Sequence, residues 1–143
     1  MVPDRVWIWN CPLPRPNSGP GDITAGADGH LWFVELSGTM DGRKPDGNRV
    51  GRITRTGEIT EFPLPTQTGS PINIAVGPDR NIWYTKGNAI GRVTPAGAIT
   101  EFDLPGGGTG LTAGSDRAPV GRLGDKLWFA QSGANAIAYM SFR

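Results

Sequence analysis

The 143-residue sequence predicts an all-β chain built from repeated four-stranded antiparallel units. Three observations carry this. First, the chain repeats itself: VGRITRTGEITEFPLP (50–65) returns as IGRVTPAGAITEFDLP (90–105), identical at ten of sixteen positions (Gly, Arg, Thr, Gly, Ile, Thr, Glu, Phe, Leu and Pro). Second, LWFVE (31–35), IWYTK (82–86) and LWFAQ (127–131) recur with the two-residue alternation of a half-buried strand. Third, 22 glycines and 13 prolines fall between apolar runs, where they read as turns, and no segment carries a capped 3.6-residue apolar period.

The elements follow in order. An inner strand A ends in Gly: DITAG (22–26), NIAVG (73–77) and GLTAG (110–114). Turns at Asp28-Gly29 and Pro78-Asp79 lead to strand B, the Trp-containing run. Strand C is RVGRIT (49–54), AIGRVT (89–94) and a degenerate AIAYMS (136–141). Turns at Thr56-Gly57 and Ala96-Gly97 lead to strand D, EITEFPLP (58–65) and AITEFDLP (98–105). The remaining D-like copy, WIWNCPLP (7–14), stands ahead of everything else. Four-stranded units of roughly 40–45 residues are the blades of a β-propeller.

The reading is one domain over 1–143: an outer strand 7–14, blades 22–65 and 73–105, and a blade 110–141 that strand 7–14 completes. Three blades do not close a ring, since propellers have about four to eight. Two chains related by a two-fold axis, each lending its N-terminal strand to the partner's last blade, would form a six-bladed ring, so a homodimer is expected. The alternatives are a piece of a longer propeller and closure by another protein.

Net charge is +1, with 14 basic and 13 acidic residues dispersed along the chain, which excludes an electrostatic footprint for nucleic acid or an anionic membrane. No run approaches the roughly 18 apolar residues of a membrane span. The start MVPDRVWIWN lacks the features of a signal peptide, so a soluble cytoplasmic chain is expected. The single Cys11, in WIWNCPLP, excludes an intramolecular disulfide and reads as a small buried hydrophobe.

NSGPGDITAGADGHLWFVE followed by NRVGRITRTGEITEFPLP resembles the blade of the streptogramin B lyase (virginiamycin B lyase) family over nearly the whole chain. The resemblance implies seven-bladed propellers of about twice this length. It also implies opening of a cyclic depsipeptide antibiotic by elimination, a C–O lyase reaction using Mg2+ and a histidine general base in a Glu-Pro-His-Gly-Ile type of segment. At the matching D-to-A junctions this chain carries Gly21, Ile72 and Thr109 in the histidine column and Gly19, Ser70 and Gly107 in the glutamate column. The only histidine, His30, falls in an A-to-B turn, on the opposite face from the D-to-A and B-to-C loops. The family reaction is therefore not expected, and no catalytic residue is assigned.

The ligand face should be built by the D-to-A and B-to-C loops. The first B-to-C loop is lengthened by SGTMDGRKPDGN (37–48), which brings Asp41, Arg43, Lys44 and Asp46 to that face as recognition residues or as a solvated charged loop. The spacing of a calcium-binding loop is missing there. The insertion SDRAPVGRLGDK (115–126) extends an A-to-B turn on the opposite face. At the end of strand B the blades present Glu35, Lys86 and Gln131, three different polar residues at one repeated position, and Asn73 and Thr109 join them from the D-to-A junctions.

This set predicts a polar rim for a small polar ligand or a protein. Glu35 is the one candidate metal ligand, no cofactor being required beyond the Mg2+ that the resemblance implies. Trp32, Trp83 and Trp128 read as blade-to-blade packing. Trp7 and Trp9 share a face of the N-terminal strand, either at a subunit junction or as a sugar-stacking platform. Two functions remain: a non-catalytic binding propeller, and an active Mg2+-dependent lyase.

Overall fold

The computed structural model describes residues 5–36, 47–67, 69–114 and 126–142. It contains three antiparallel sheets in propeller-like succession. The first is β1 (Pro20–Ala25), β2 (Leu31–Glu35), β3 (Arg49–Ile53) and β4 (Ile59–Pro63). The second is β5 (Pro71–Val76), β6 (Ile82–Lys86), β7 (Ala89–Val93) and β8 (Ile99–Asp103). The third has β9 (Thr109–Ala113), β10 (Lys126–Gln131) and β11 (Ala136–Ser141), with a 3-10 turn at Ser132–Ala134 before β11. The inner strands β1, β5 and β9 lie side by side in that order.

Each letter of the repeated motif has a physical job. Gly51 and Gly91 leave room for the ring of the strand-B aromatic: a Cβ there would stand 2.2 Å from Phe33 Cζ and 2.0 Å from Tyr84 Cζ. The following arginine points to the other face and covers the tryptophan. The Arg52 guanidinium lies 5.5 Å from the Trp32 ring and 5.6 Å from Phe62, and Arg92 repeats this at 5.9 Å from Trp83 and 5.8 Å from Phe102. The threonine closes the hairpin, its Oγ1 accepting from Glu58 N in one blade and Ala98 N in the next, both at 3.1 Å. Gly57 and Gly97 then take φ of 86° and 92°, where a side chain would be strained.

Blades pack by one rule. The Trp face of each blade meets the next blade's face bearing the residue after the Trp. Trp32, Val34, Val50 and Leu64 pack on Ile74, Ile82, Tyr84 and Val93, and Trp83 and Ile90 pack on Leu127 and Phe129. Side chains of the inner strands lace the junctions. Asp22 Oδ2 accepts from Ile74 N at 3.0 Å, and Asn73 Oδ1 accepts from Gly110 N at 2.8 Å. The column ends at Gly110, which has no side chain to continue it.

One expectation changes: Cys11 is exposed rather than buried. Residues 7–14, expected as the outer strand of a partner's last blade, belong to no strand of their own chain, and Cys11 and Leu13 lie against Ile23, Phe33, Ile53 and Ile59 of the first blade. The insertion at 115–125 lies outside the described residues. No helix among the described residues is long and apolar enough to cross a membrane.

Candidate functional site

The register places the ends of the three B strands at one end of the sheets. Glu35 is opposite Pro20 and Arg49, Lys86 is opposite Pro71 and Ala89, and Gln131 is opposite Ala136. Thr109 starts β9 at this same end, opposite Ala130, and is exposed. Gly21, Ile72 and Thr109, the positions of the histidine column, therefore sit where the resemblance puts them, with no imidazole among them. His30 precedes Leu31 at the other end of β2, so the length of a five-residue strand, roughly 16 Å, separates it from Glu35. Asp41, Arg43, Lys44 and Asp46 lie outside the described residues.

The rim residues are not loop-end decoration. Glu35 is 0% exposed and Lys86 2%. The second blade solves the burial of a cation with a network. Lys86 Nζ donates to the backbone carbonyl of Thr66, to Thr66 Oγ1 at 2.7 Å and to Glu101 Oε1 at 3.2 Å, and Tyr84 Oη donates to the same Glu101 oxygen at 2.8 Å. Burial raises the Glu101 carboxyl, but the hydrogen bonds from Thr66, Tyr84 and Lys86 and the Lys86 charge outweigh it and hold it below the usual range. Burial, with Glu101 as acceptor, pushes the Tyr84 phenol up, so it remains a donor. Thr66, Gly69, Asn88, Asp103 and Glu101 surround Lys86 in a cleft of about 490 Å³.

In the first blade the same two columns hold two acids. Glu61 is the counterpart of Glu101 and lies beside Glu35. Both Glu35 oxygens and Glu61 Oε1 are buried without a hydrogen-bond donor, while Arg15 Nε donates to Glu61 Oε2 at 3.0 Å. Burial, and then the Glu61 carboxylate, push the Glu35 carboxyl up to about 8 against the pull of Arg49 and Arg15. At neutral pH Glu35 therefore keeps its proton and can donate to Glu61. Once Glu35 gives up that proton, these oxygens suit a hard divalent cation in kind, and Glu35 and Glu61 are the residues that would hold Mg2+. Among the described residues no group of three or more acidic, His or Cys side chains gathers into a fuller site.

The raised Glu35 value makes a prediction whose sign is fixed. Between about 4.5 and about 8 the folded chain binds a proton that the unfolded chain has lost, so stability declines as pH rises through that window. Glu35→Gln should remove the decline and melt several °C above the parent at pH 8.5, with little difference at pH 4.5. Thermal melts at the two pH values check it, and parallel slopes for the two proteins would count against the acid pair.

At the third station Gln131 Nε2 donates to the Pro105 carbonyl at 3.0 Å, and among the described residues no fourth strand pairs with β11. Asn73 is committed to the blade junction, with Nδ2 3.5 Å from Asp22 Oδ2 in addition to its bond from Gly110. Sequence reasoning picked the strand-B column and missed its partners Glu61 and Glu101. Their signal was present: the glutamate of ITEF is kept in both blades and, in register, stands opposite the glycine that the strand-B ring crosses.

The comparisons agree with this geometry. The sequence profile of the Virginiamycin B lyase family matches residues 7–143. A virginiamycin B lyase of Nocardia farcinica is 36% identical over 70 residues, covering 49% of this chain and 22% of the relative. One from Bordetella pertussis is 40% identical over 71 residues, covering 50% and 21%. A solved streptogramin B lyase superposes with a TM-score of 0.69 at 33% identity, covering 92% of this chain and 43% of that one. A catalytically inactive virginiamycin B lyase from Staphylococcus aureus with quinupristin gives 0.68 at 36%, covering 91% and 43%. The chain thus spans less than half the length of the solved lyases it matches.

Proposed function

The chain belongs to the virginiamycin B lyase family, and from that premise we propose that it is a ligand-binding propeller that does not run the family's elimination. The observation that carries the binding role is the cleft of about 490 Å³ around Lys86, a size in the range of small-molecule sites. Its lining of Asn88, Asp103 and the Lys86–Glu101 pair offers an amide and carboxylate oxygens, which suits a small polar ligand bearing hydroxyl or amino groups. The Lys86 ammonium spends its donors on Thr66 and Glu101, which fixes the wall of the cleft before any ligand arrives, so little side-chain ordering is left for binding.

Elimination needs a base beside the acidic Cα–H and a group that stabilises the developing negative charge. Mg2+ held by Glu35 and Glu61 would supply positive charge for the second role. For the first, the sequence has one histidine, and it stands at the wrong end of β2. Incubation with a streptogramin B antibiotic and Mg2+, followed by mass spectrometry, should show no ring opening above the protein-free control. The second reading, an active Mg2+-dependent lyase, is favoured by family membership and by the likeness to the solved lyases. Turnover that disappears in Glu35→Gln would establish it in place of the first.

The assembly that we infer is a six-bladed ring of two chains, each completing the other's third blade with residues 7–14. The free faces support it. The third blade ends in an unpacked Trp face with Ile137 72% exposed and Tyr139 50%, and the first begins with Ile23 55% and Leu31 45% exposed. These are the faces that meet at both junctions inside the chain.

A further inference from the structure

We propose that the cleft beside Lys86 takes a small hydroxylated amine, with its protonated amino group on Asp103 and its hydroxyls on Asn88 and Glu101. This rests on the binding role proposed above for the cleft and deepens it by fixing the charge and chemical class of the ligand.

The assignment starts from places where the second blade breaks the repeat. Strand D has three copies, WIWNCPLP (7–14), EITEFPLP (58–65) and AITEFDLP (98–105), and the position of Asp103 holds Pro12 and Pro63 in the other two. The opposed residue changes with it. Arg49 is opposite Pro63 in the first blade, whereas Ala89 is opposite Asp103 in the second. One strand pair thus exchanges a cation for an anion, and the residue placed to neutralise the new carboxylate is an alanine. Asp103 is exposed and lies two residues beyond Glu101, on the same face of β8 and roughly 7 Å along it. Both line the cleft.

A further break releases an amide. In the first blade Asn48 Nδ2 donates to the Thr66 carbonyl at 3.4 Å and to Gln67 Oε1 at 3.2 Å, which ties it to the segment leaving strand D. Asn88 is its counterpart: the Asn48 carbonyl accepts from Leu64 N, and the Asn88 carbonyl from Leu104 N. Gly106 and Gly107 stand where the first blade has Thr66 and Gln67. They offer no side chain, so the exposed Asn88 amide is left to line the cleft.

The balance of charge gives the ligand its sign. An ammonium has three donors, and those of Lys86 go to the Thr66 carbonyl, Thr66 Oγ1 and Glu101 Oε1. Lys86 has none left for an anion, and with Glu101 it forms a neutral pair. Asp103 is then the net charge among the described lining residues, so the cleft favours a cation. Glu101 is pinned by Thr66, Tyr84 and Lys86 and does not swing across to share a metal ion with Asp103. Its Oε2 accepts from Thr66 Oγ1 and keeps a second lone pair for a hydroxyl. Separated acceptors at Asp103 and Glu101, with the Asn88 amide beside them, match an amino group and hydroxyls carried on one ring-sized molecule.

The test compares three sugars that differ at one group: glucosamine, N-acetylglucosamine and glucose, each titrated into the isotope-labelled chain at about pH 6, where the amine is protonated. Glucosamine should shift the backbone amide resonances of Gly87, Asn88 and Asp103 and bind about tenfold more tightly than the other two, the usual effect of one charged hydrogen bond. Added salt should reduce that preference. Asp103→Asn should bring glucosamine down to the level of N-acetylglucosamine with the melting temperature unchanged, since the side chain is exposed. Ala89→Arg, which restores the cation of the first blade, should do the same to binding. Equal binding of the three sugars at the cleft, or an Asp103→Asn chain that binds glucosamine as the parent does, overturns the amine assignment and leaves the polar-ligand cleft standing. Mg2+ alone producing the same shifts also overturns it. No shift at the cleft with any of the three sugars overturns both readings.

Discussion

Gly91→Val should abolish the native fold or leave it melting tens of degrees lower, although valine is the better strand former. A Cβ at Gly91 would lie 2.0 Å from Tyr84 Cζ, 2.2 Å from Cε1 and 2.4 Å from the phenol oxygen. The Tyr84 ring is 0% exposed and is part of the core between the first two blades. It has no free space to move into, and moving it breaks its 2.8 Å bond to Glu101. Overpacking alone costs about 1–3 kcal/mol, and a buried acceptor losing its donor adds about 1–3 more. Against a total stability of about 5–15 kcal/mol this is a large share. Thr100→Val, on the exposed face of β8, should change the melting temperature by little. Thermal denaturation of the two variants decides the matter, and equal melting temperatures would mean that the glycine of the motif is there for some other reason.

That glycine shows what could be read without coordinates. Strand positions were legible because the motif alternates and because Thr-x-x-Gly turns recur, so β2, β6, β7 and β8 fall within a residue or two of their expected bounds. The reason for the Gly-Arg pair was not legible, because it lies across strands: the glycine makes way for a ring one strand over, and the arginine covers a tryptophan on the other face. The site was legible by half. Glu35, Lys86 and Gln131 stood out because they differ at a column where the blades otherwise agree. Glu61 and Glu101 were hidden by agreeing, since a residue kept in both complete blades looks like scaffold. Cys11 was misplaced because its neighbours are those of a buried strand, whereas that burial needs a sheet that its own chain does not hold nearby.

Lys86→Met should destabilise the chain by about 3–5 kcal/mol, the usual cost of stranding one member of a buried ion pair. The Lys86 and Glu101 side chains are 1% and 9% exposed, so water does not take over the lost contact. Glu101 would keep its bonds from Thr66 and Tyr84 but lose the charge that helps to hold its carboxyl below the usual range. The sign with pH follows. A carboxyl lowered in the folded state contributes stability that is present above its unfolded value and is lost as pH falls through the folded one. The parent should therefore lose this contribution on acidification, and Lys86→Met should show a smaller loss over the same range. Glu101→Gln combined with Lys86→Met should recover much of the stability, because no unpaired charge then remains buried, and the cycle isolates the coupling from the packing of the Lys86 stem. Urea denaturation of the four proteins at pH 7 and pH 4 measures both effects. Additive losses in the double variant would show that the two residues act separately, and that the cleft owes its shape to the backbone around Gly69 and Gly87 rather than to the pair.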